Sequence, residues 1–131
     1  MITSADEFKR LRESSVAEEY RRAAHEEASI IVWHEVLHKY PHLAYWVVHN
    51  KTVPIEILEI LSSNHDRRVR DIVASKRKLP EKLMMELAQD EDEGIRHTLV
   101  YNAKITKRVL EVLVNDSWDV VRNAAKEKLA R

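Results

Sequence analysis

The chain has 131 residues, and its 22 basic and 22 acidic side chains cancel to a formal net charge of zero at pH 7. One glycine, three prolines and no cysteine exclude a hairpin-rich β fold, a flexible linker, disulfides and thiolate metal sites. The balanced charge provides no overall field that would attract phosphate or an anionic membrane. Good helix formers dominate the remainder, so we expect an all-α protein.

The N-terminal stretch MITSADEFKRLRES has no apolar core of signal-peptide length, and no later run is long and apolar enough to span a bilayer. We therefore expect a cytoplasmic protein with no membrane partner. A chain of this length is typical of one domain, which we assign to residues 1–131 and expect to be monomeric.

Residues 1–27 predict two helices that cap the N-terminal end of the domain. Ser4 with Glu7, and then Ser15 with Glu18, have the spacing of a capping box, in which the serine begins the helix. Both helices depart from the repeat that follows, as the terminal units of helical repeat arrays usually do.

Residues 28–49 predict a degenerate repeat, and they contain the sequence HEVLH. His34 and His38 are four residues apart and share a helix face, where Glu35 could act as general base on a zinc-bound water. A catalytic zinc needs a third protein ligand, and the extended spacing of this motif places that ligand at Ala44. We therefore expect no metal, with His34 and His38 as weak candidates only.

The same helix already has an apolar stripe that explains its burial without a metal. The stripe consists of Trp33, Val36, Leu37 and Tyr40, with both histidines at its flank. The chain also has no credible strand, whereas metalloproteases of this type bind their substrates along a sheet edge.

From residue 50 onwards the sequence repeats with a period of 26 residues. We assign the repeats to residues 50–75, 76–101 and 102–127. The period relates columns of proline, apolar and arginine positions: Pro54, Pro80 and Thr106; Leu58, Met84 and Leu110; Leu61, Leu87 and Leu113; Val69, Ile95 and Val121; Arg70, Arg96 and Arg122. One period across this many columns indicates internal duplication.

Each repeat predicts two helices separated by a polar break. Pro54 and Pro80 suit the first turn of the first helix, where a missing N–H group is no loss. Asp66 and Asp92 have the position of N-caps for the second helix. Because one helix pair cannot cover its own apolar face, we expect neighbouring repeats to stack into a short right-handed α-solenoid.

Eight positions of the first repeat form a pattern that is known from other proteins. The pattern consists of Asn50, Thr52, Pro54, Leu58, Leu61, Asp66, Val69 and Arg70. Over about residues 41–127 it resembles the variant leucine-rich repeat, a relative in style of the HEAT-like α-solenoids. Lys76 replaces the asparagine in the second repeat, and Thr106 replaces the proline in the third. The resemblance implies a helical scaffold that binds protein or nucleic acid, and it identifies no partner.

Arg70, Arg96 and Arg122 occupy equivalent places in successive second helices. One interpretation is structural: each lies four residues after a cap position, within reach of its own aspartate or a neighbouring carbonyl. In the third repeat Trp118 stands in place of that aspartate, so the last arginine needs another partner. The alternative is a row of guanidinium groups that binds phosphate or carboxylate.

A second basic feature comes from the turns between repeats. We call it the basic ridge, and it consists of Lys51, Lys76, Arg77, Lys78 and Lys104. The shared register predicts that these side chains project from one edge, with the acidic stretch QDEDE as their counterweight. The ridge is either a solvated edge or a nucleic-acid site, although the aromatic residues that stack bases make up 6% of the chain.

The second helices are expected to form the concave surface of the solenoid. Two columns on this surface supply the candidate partner-binding residues: Tyr45, Asp71, His97 and Asn123, then His49 and Tyr101. Their mixture of aromatic, imidazole, amide and charged groups is typical of a protein-binding groove. The anchors of a bound partner would be Tyr45, Trp46, His49 and Tyr101, although Trp46 is equally compatible with the core, which is the interpretation that we favour.

We therefore predict a non-enzymatic module that binds another protein, in an adaptor, assembly or immunity-type role, without a cofactor. Nucleic-acid binding on the basic ridge is the alternative hypothesis. Zinc-dependent hydrolysis at His34, Glu35 and His38 is the third.

Overall fold

A computed structural model describes all 131 residues and contains ten α-helices and no β-strand, which confirms the predicted all-α class. The helices are α1 (Ala5–Glu13), α2 (Ala17–His25), α3 (Ile30–Lys39), α4 (Ala44–His49), α5 (Ile55–Leu61), α6 (Arg67–Ser75), α7 (Glu81–Leu87), α8 (Glu93–Val100), α9 (Lys107–Leu113) and α10 (Asp119–Leu129). A short 3₁₀ turn, Pro41–Leu43, precedes α4, and an isolated parallel bridge pairs Ile2 with Ala28. The longest helix has 11 residues, so none has the length and apolar character needed to cross a bilayer.

The chain divides into two compact units, Met1–Leu61 and Ser62–Arg131, which we call unit one and unit two. The boundary falls inside the predicted repeat 50–75, directly after its first helix. Unit one thus contains α1 to α5, and unit two contains α6 to α10.

The core of unit one forms where α1 packs against α2 and α3. Phe8 and Leu11 lie one turn apart on α1 and are fully buried. The ring of Phe8 meets the ring of Trp33 edge to face, with 5.4 Å between the ring centroids. Val36, one turn after Trp33 on α3, is also fully buried, so the predicted apolar stripe of this helix is confirmed for these two residues.

Of the two predicted capping boxes, only the serine of the first caps its helix. The Oγ of Ser4 accepts a hydrogen bond from the backbone N–H of Glu7 at 3.0 Å, so Ser4 caps α1 as predicted. The prediction for Ser15 is wrong, because the N-cap of α2 is Val16, which has no side-chain cap. The neighbouring Ser14 stabilises this turn instead, accepting from the N–H of Val16 at 3.0 Å.

The core of unit two contains the apolar columns of the repeat. Its buried members are Val69 and Val73 on α6, Leu83 and Leu87 on α7, Ile95 and Leu99 on α8, Val109 and Leu113 on α9, and Val121 and Ala125 on α10. These positions recur every three or four residues along their helices, which is why one face of each helix is covered. Helix α8 packs against α6, α7, α9 and α10.

The second helices in unit two begin at the aspartates expected to cap them. Asp66 accepts a hydrogen bond from the N–H of Arg68 at 2.9 Å. Asp92 accepts from the N–H groups of Gly94 and Ile95 at 2.8 and 3.2 Å. Both side chains therefore satisfy backbone donors that have no partner within the helix, and the cap predictions are confirmed.

Two buried asparagines, Asn50 and Asn102, make equivalent contacts in the two units. Each Nδ2 donates to two backbone carbonyls of a preceding helix end, and each Oδ1 accepts the N–H of the residue two positions on. The two residues are separated by two periods of the repeat. Each buried amide therefore fixes its own turn against the end of an earlier helix, which is α2 for Asn50 and α6 for Asn102.

Candidate functional site

The repeated arginines of unit two bind carboxylates within the unit. The guanidinium of Arg70 donates from Nε and Nη2 to the two oxygens of Asp90, at 2.8 and 3.3 Å. Arg96 makes the same forked contact with Asp116, at 2.8 and 3.2 Å. The side chains of Arg70 and Asp90 are 11% and 7% exposed, so this pair is largely withdrawn from water. Its hydrogen bonds raise the pKa of Arg70 above the usual value.

Arg70 and Arg96 each bind an aspartate other than the cap residue of their own helix. We expected Arg70 to reach either its own cap residue or a neighbouring carbonyl, and Asp66 pairs with Arg68 instead, at 2.9 Å. Arg70 binds Asp90, which lies in the turn of the following repeat, and it also donates to the backbone carbonyl of Asn64 at 2.8 Å. Arg122 donates to two backbone carbonyls.

The three arginines are thus engaged by internal acceptors. Two of them hold buried carboxylates, and all three close the turn before their own helix. These contacts use the N–H groups that a phosphate would otherwise occupy. The geometry favours the structural interpretation of the arginine column.

The HEVLH segment lies on α3, where His34, Glu35 and His38 are exposed. The Oε1 of Glu35 accepts a hydrogen bond from the backbone N–H of Ala5 at 2.8 Å, at the start of α1. No group of three or more metal-ligating side chains is present that could hold a metal ion. Because a catalytic zinc requires three protein ligands and a free general base, these residues do not fit such a site.

The residues of the basic ridge differ in exposure. Arg77, Lys78 and Lys104 of unit two are exposed, as is Lys51 of unit one, whereas Lys76 is half-buried. No ion pair joins Arg77, Lys78 or Lys104 to a carboxylate. Partial desolvation lowers the pKa of Lys78 below the usual value. The acidic stretch QDEDE is not free to balance the charge of the basic ridge, because its first aspartate, Asp90, binds Arg70.

The predicted partner-binding residues of unit one belong to a cluster of rings on α4. The ring of Tyr45 lies 4.8 Å from that of Trp46 and 4.6 Å from that of His49, measured between centroids. The prediction that Trp46 is a core residue is wrong, because its side chain is only half-buried. One face of its ring instead contacts the guanidinium of Arg12, whose carbon lies 3.2 Å from the ring centroid.

Two of the predicted residues of unit two, His97 and Tyr101, belong to a second cluster of rings. The ring of His97 lies 5.1 Å from that of Tyr101 and 6.0 Å from that of Trp118. Tyr101 is 64% exposed and Trp118 is 37% exposed. We call His97, Tyr101 and Trp118 the aromatic surface. Asp71, half-buried on α6, accepts a hydrogen bond from the hydroxyl of Thr98 at 2.6 Å.

Asn123 lies on α10 and is exposed, and it makes no ring contact with the aromatic surface. The structure therefore groups His97 and Tyr101 as the sequence suggested. It adds Trp118, which the repeat pattern marked only as the residue that replaces the capping aspartate of its column. The signal at this position was the break in the repeat itself, since Asp66 and Asp92 occupy the same column.

Comparisons with known protein families, with curated proteins and with solved structures found no match to this chain. The resemblance to the variant leucine-rich repeat stays a prediction from the repeat pattern.

Proposed function

We propose that the chain is a non-enzymatic protein-binding module, built as a short α-solenoid of 26-residue helix pairs, and that the aromatic surface contacts its partner. The equivalent contacts of Asn50 and Asn102, and of Arg70 and Arg96, support the repeat architecture. Repeat scaffolds of this kind present extended surfaces to other macromolecules.

Trp118 is the observation that carries the proposal. In the same column, Asp66 and Asp92 cap their helices with side-chain hydrogen bonds, whereas Trp118 is the N-cap of α10 and makes none. Replacing a good cap by a residue without one costs about 1 kcal/mol. The chain accepts this cost at a position where the indole is exposed beside His97. Departures from a local rule of this kind are typical of functional positions.

The chemistry of the aromatic surface fits a protein partner. Tyrosine and tryptophan are the residues most enriched at the energetic centres of protein interfaces, because they bury a large area at a small cost in side-chain entropy. Tyr101 offers an exposed ring with a hydroxyl, and His97 holds it in place from one side. Asp71 and Asn123 supply polar groups on the neighbouring helices α6 and α10 of the same unit.

Trp118→Asp provides a sharp test, because it should change stability and binding in opposite directions. The new aspartate restores the cap of its column, so we expect unfolding to require about 1 kcal/mol more free energy. Removal of the indole should weaken partner binding more than tenfold. The conservative variant Trp118→Phe should retain most of the affinity without the gain in stability.

The measurement has two stages. A partner captured by the wild-type protein is first identified by mass spectrometry, and its affinity for each purified variant is then measured by calorimetry. Tyr101→Ala should weaken binding without lowering the melting temperature, since the side chain is mostly exposed. Wild-type affinity in both Trp118→Asp and Tyr101→Ala would rule out the aromatic surface as the binding site.

Nucleic-acid binding is the second candidate, and the exposed cations Arg77, Lys78 and Lys104 favour it. The net charge of zero and the internal use of the repeated arginines argue against it. Binding of a short duplex and a short single strand at low and moderate salt discriminates between the two functions. Tight binding that weakens steeply with salt, and that is lost when these three residues are changed to Glu, would establish this alternative.

A further inference from the structure

A small cavity of about 210 Å³ lies in unit one, beside α1, α2 and α4. Two aromatic rings, Tyr20 and Trp46, form part of its wall, and two alanines form another part. Three basic side chains complete the lining: Arg12, His49 and Lys51. No aspartate or glutamate contributes to it.

Arg12 is held in this cavity by rings rather than by a carboxylate. Its guanidinium carbon lies 3.2 Å from the ring centroid of Trp46 and 4.6 Å from that of Tyr20. Contacts of this kind attract a cation and also fix the plane of the guanidinium. The Nε of Arg12 is buried and has no hydrogen-bond partner. An unsatisfied buried donor of this type is unfavourable, and a bound acceptor would relieve it.

Neighbouring arginines in the same unit have carboxylate partners. Arg10 pairs with Glu19 at 2.5 Å, and Arg22 pairs with Glu26 at 2.5 Å. The sequence around Arg12 is therefore rich in acidic residues, and the fold directs them to other cations. The five N–H donors of Arg12 therefore have no protein oxygen as acceptor, and the rings of Trp46 and Tyr20 fix the orientation of the guanidinium.

Lys51 adds a second cation to this cavity, and His49 adds an imidazole ring. Lys51 is exposed, forms no ion pair, and has its backbone N–H bonded to the carbonyl of Ala24 at 2.9 Å, which anchors the residue at the rim. The imidazole of His49 stacks against Trp46, with 5.6 Å between the centroids. Two other cavities of unit one differ in this respect, because each is lined by both acidic and basic side chains.

We propose that this cavity binds a small oxyanion, a carboxylate or phosphate group, with Arg12 as the main donor and Lys51 as a second cation. A preoriented guanidinium matches the geometry of both groups, since it offers two parallel N–H donors. The volume sets the size of the ligand, because pockets for drug-sized molecules occupy about 300–1,000 Å³. The cavity residues belong to unit one and the aromatic surface belongs to unit two, and the proposal does not depend on the partner-binding function.

The test is a titration of the intact protein with sodium phosphate and, separately, with sodium acetate, followed by ¹⁵N NMR. Sodium chloride at matched ionic strength is the reference. We expect the indole N–H signal of Trp46 to shift and saturate. The indole signals of Trp33, which is fully buried, and of Trp118, which lies in unit two, should not follow it.

Variants identify the donor. Arg12→Lys keeps the charge and removes the planar fork, so we expect affinity to fall at least tenfold. Arg21→Lys makes the same change at an exposed position outside the cavity and should leave affinity unchanged. Lys51→Gln, at the exposed rim, should weaken binding severalfold and does not disturb helix packing.

Each outcome decides the proposal. Saturation with phosphate alone identifies a phosphoryl ligand, saturation with acetate alone identifies a carboxylate ligand, and saturation with both supports a site that accepts either oxyanion. Absence of saturation with either anion up to about 100 mM overturns the proposal. Saturation that is unchanged in both Arg12→Lys and Lys51→Gln also overturns it, because the anion then binds elsewhere.

Discussion

The buried pair between Arg70 and Asp90 gives the most direct test of how unit two is held together. The proposed change is Asp90→Asn, which keeps the shape of the side chain and removes its charge. Asp90 has two tasks: it binds the guanidinium of Arg70, and its Oδ1 accepts the backbone N–H of Asp92 at 2.9 Å. Asn64 performs the second task in the preceding repeat, accepting from the N–H of Asp66 at 2.9 Å. Asparagine is therefore compatible with the turn, and the variant isolates the loss of charge.

The expected magnitude follows from the burial of the pair. Because the side chains are 11% and 7% exposed, removal of the carboxylate leaves the Arg70 cation with little water to solvate it. Complete loss of one partner of a buried pair costs about 3–5 kcal/mol. The asparagine oxygen can still accept one N–H from Arg70, so we expect Asp90→Asn to lower the free energy of unfolding by about 2–3 kcal/mol. Asp90→Ala, which also loses the turn hydrogen bond, should reach the upper end of the range.

Urea unfolding followed by circular dichroism at 222 nm measures these differences. Glu91→Gln is the matched control, because it removes the same charge from an exposed neighbouring position, and it should change stability by less than about 0.5 kcal/mol. The double variant Arg70→Met with Asp90→Asn should be less destabilised than the sum of its single variants, by more than about 1 kcal/mol. Equal stability of Asp90→Asn and Glu91→Gln would refute the reasoning, since the pair would then behave as a solvated surface contact.

Two further predictions concern the core and the response to acid. Leu87→Ala, at a side chain that is 2% exposed, should destabilise by about 2–5 kcal/mol in urea unfolding, and an effect no larger than that of the exposed Glu86→Ala would contradict the core assignment. The pKa of Glu26 is lowered from 4.5 to about 2, first by its hydrogen bond from Arg22 and then by the amino group of Met1. Its stabilising effect is therefore complete above about pH 4.5 and is lost as the pH falls towards 2, so Glu26→Gln should flatten the fall of melting temperature over this window. An unchanged slope in this variant would contradict the assignment.

The helices and the core of unit two were predictable from the sequence because they depend on local rules. Apolar residues recur with the helical period, and a capping aspartate bonds to N–H groups two or three residues ahead of it. The failure at Ser15 has the same local origin, because two adjacent serines compete for one turn. Ser14 bonds to the N–H of Val16, and the helix begins without a cap.

Contacts between distant residues were not predictable in the same way. Arg70 has an aspartate in its own repeat and another in the next, and both are chemically suitable. The structure selects Asp90 because the stacking of helices α6 and α8 brings its turn against α6, whereas Asp66 is taken by Arg68. Helix packing decides the choice, and the spacing along the chain carries no information about it.

The basic cavity was missed for a related reason. Arg12 lies in an ordinary amphipathic helix among glutamates, so its sequence context indicates an ion pair. Only the fold shows that Trp46, which is 34 positions away in the chain, takes the guanidinium face instead. The misjudged burial of Trp46 and the missed role of Arg12 are therefore one error, since a core tryptophan has no face available for a cation.

Substitutions within the repeat columns separate structural positions from functional ones. Lys128 stands in the column of Asn50 and Asn102, and its Nζ donates to the carbonyls of Val100 and Asn102 at 2.8 and 3.1 Å. The residue type changes there, but the hydrogen bond to the preceding repeat is kept, so the substitution is structural. At Trp118 the opposite holds, because the cap hydrogen bond of the column is abandoned and an exposed ring takes its place. A column position that gives up its stabilising contact needs a reason outside the fold, and the partner that we propose for the aromatic surface would supply one.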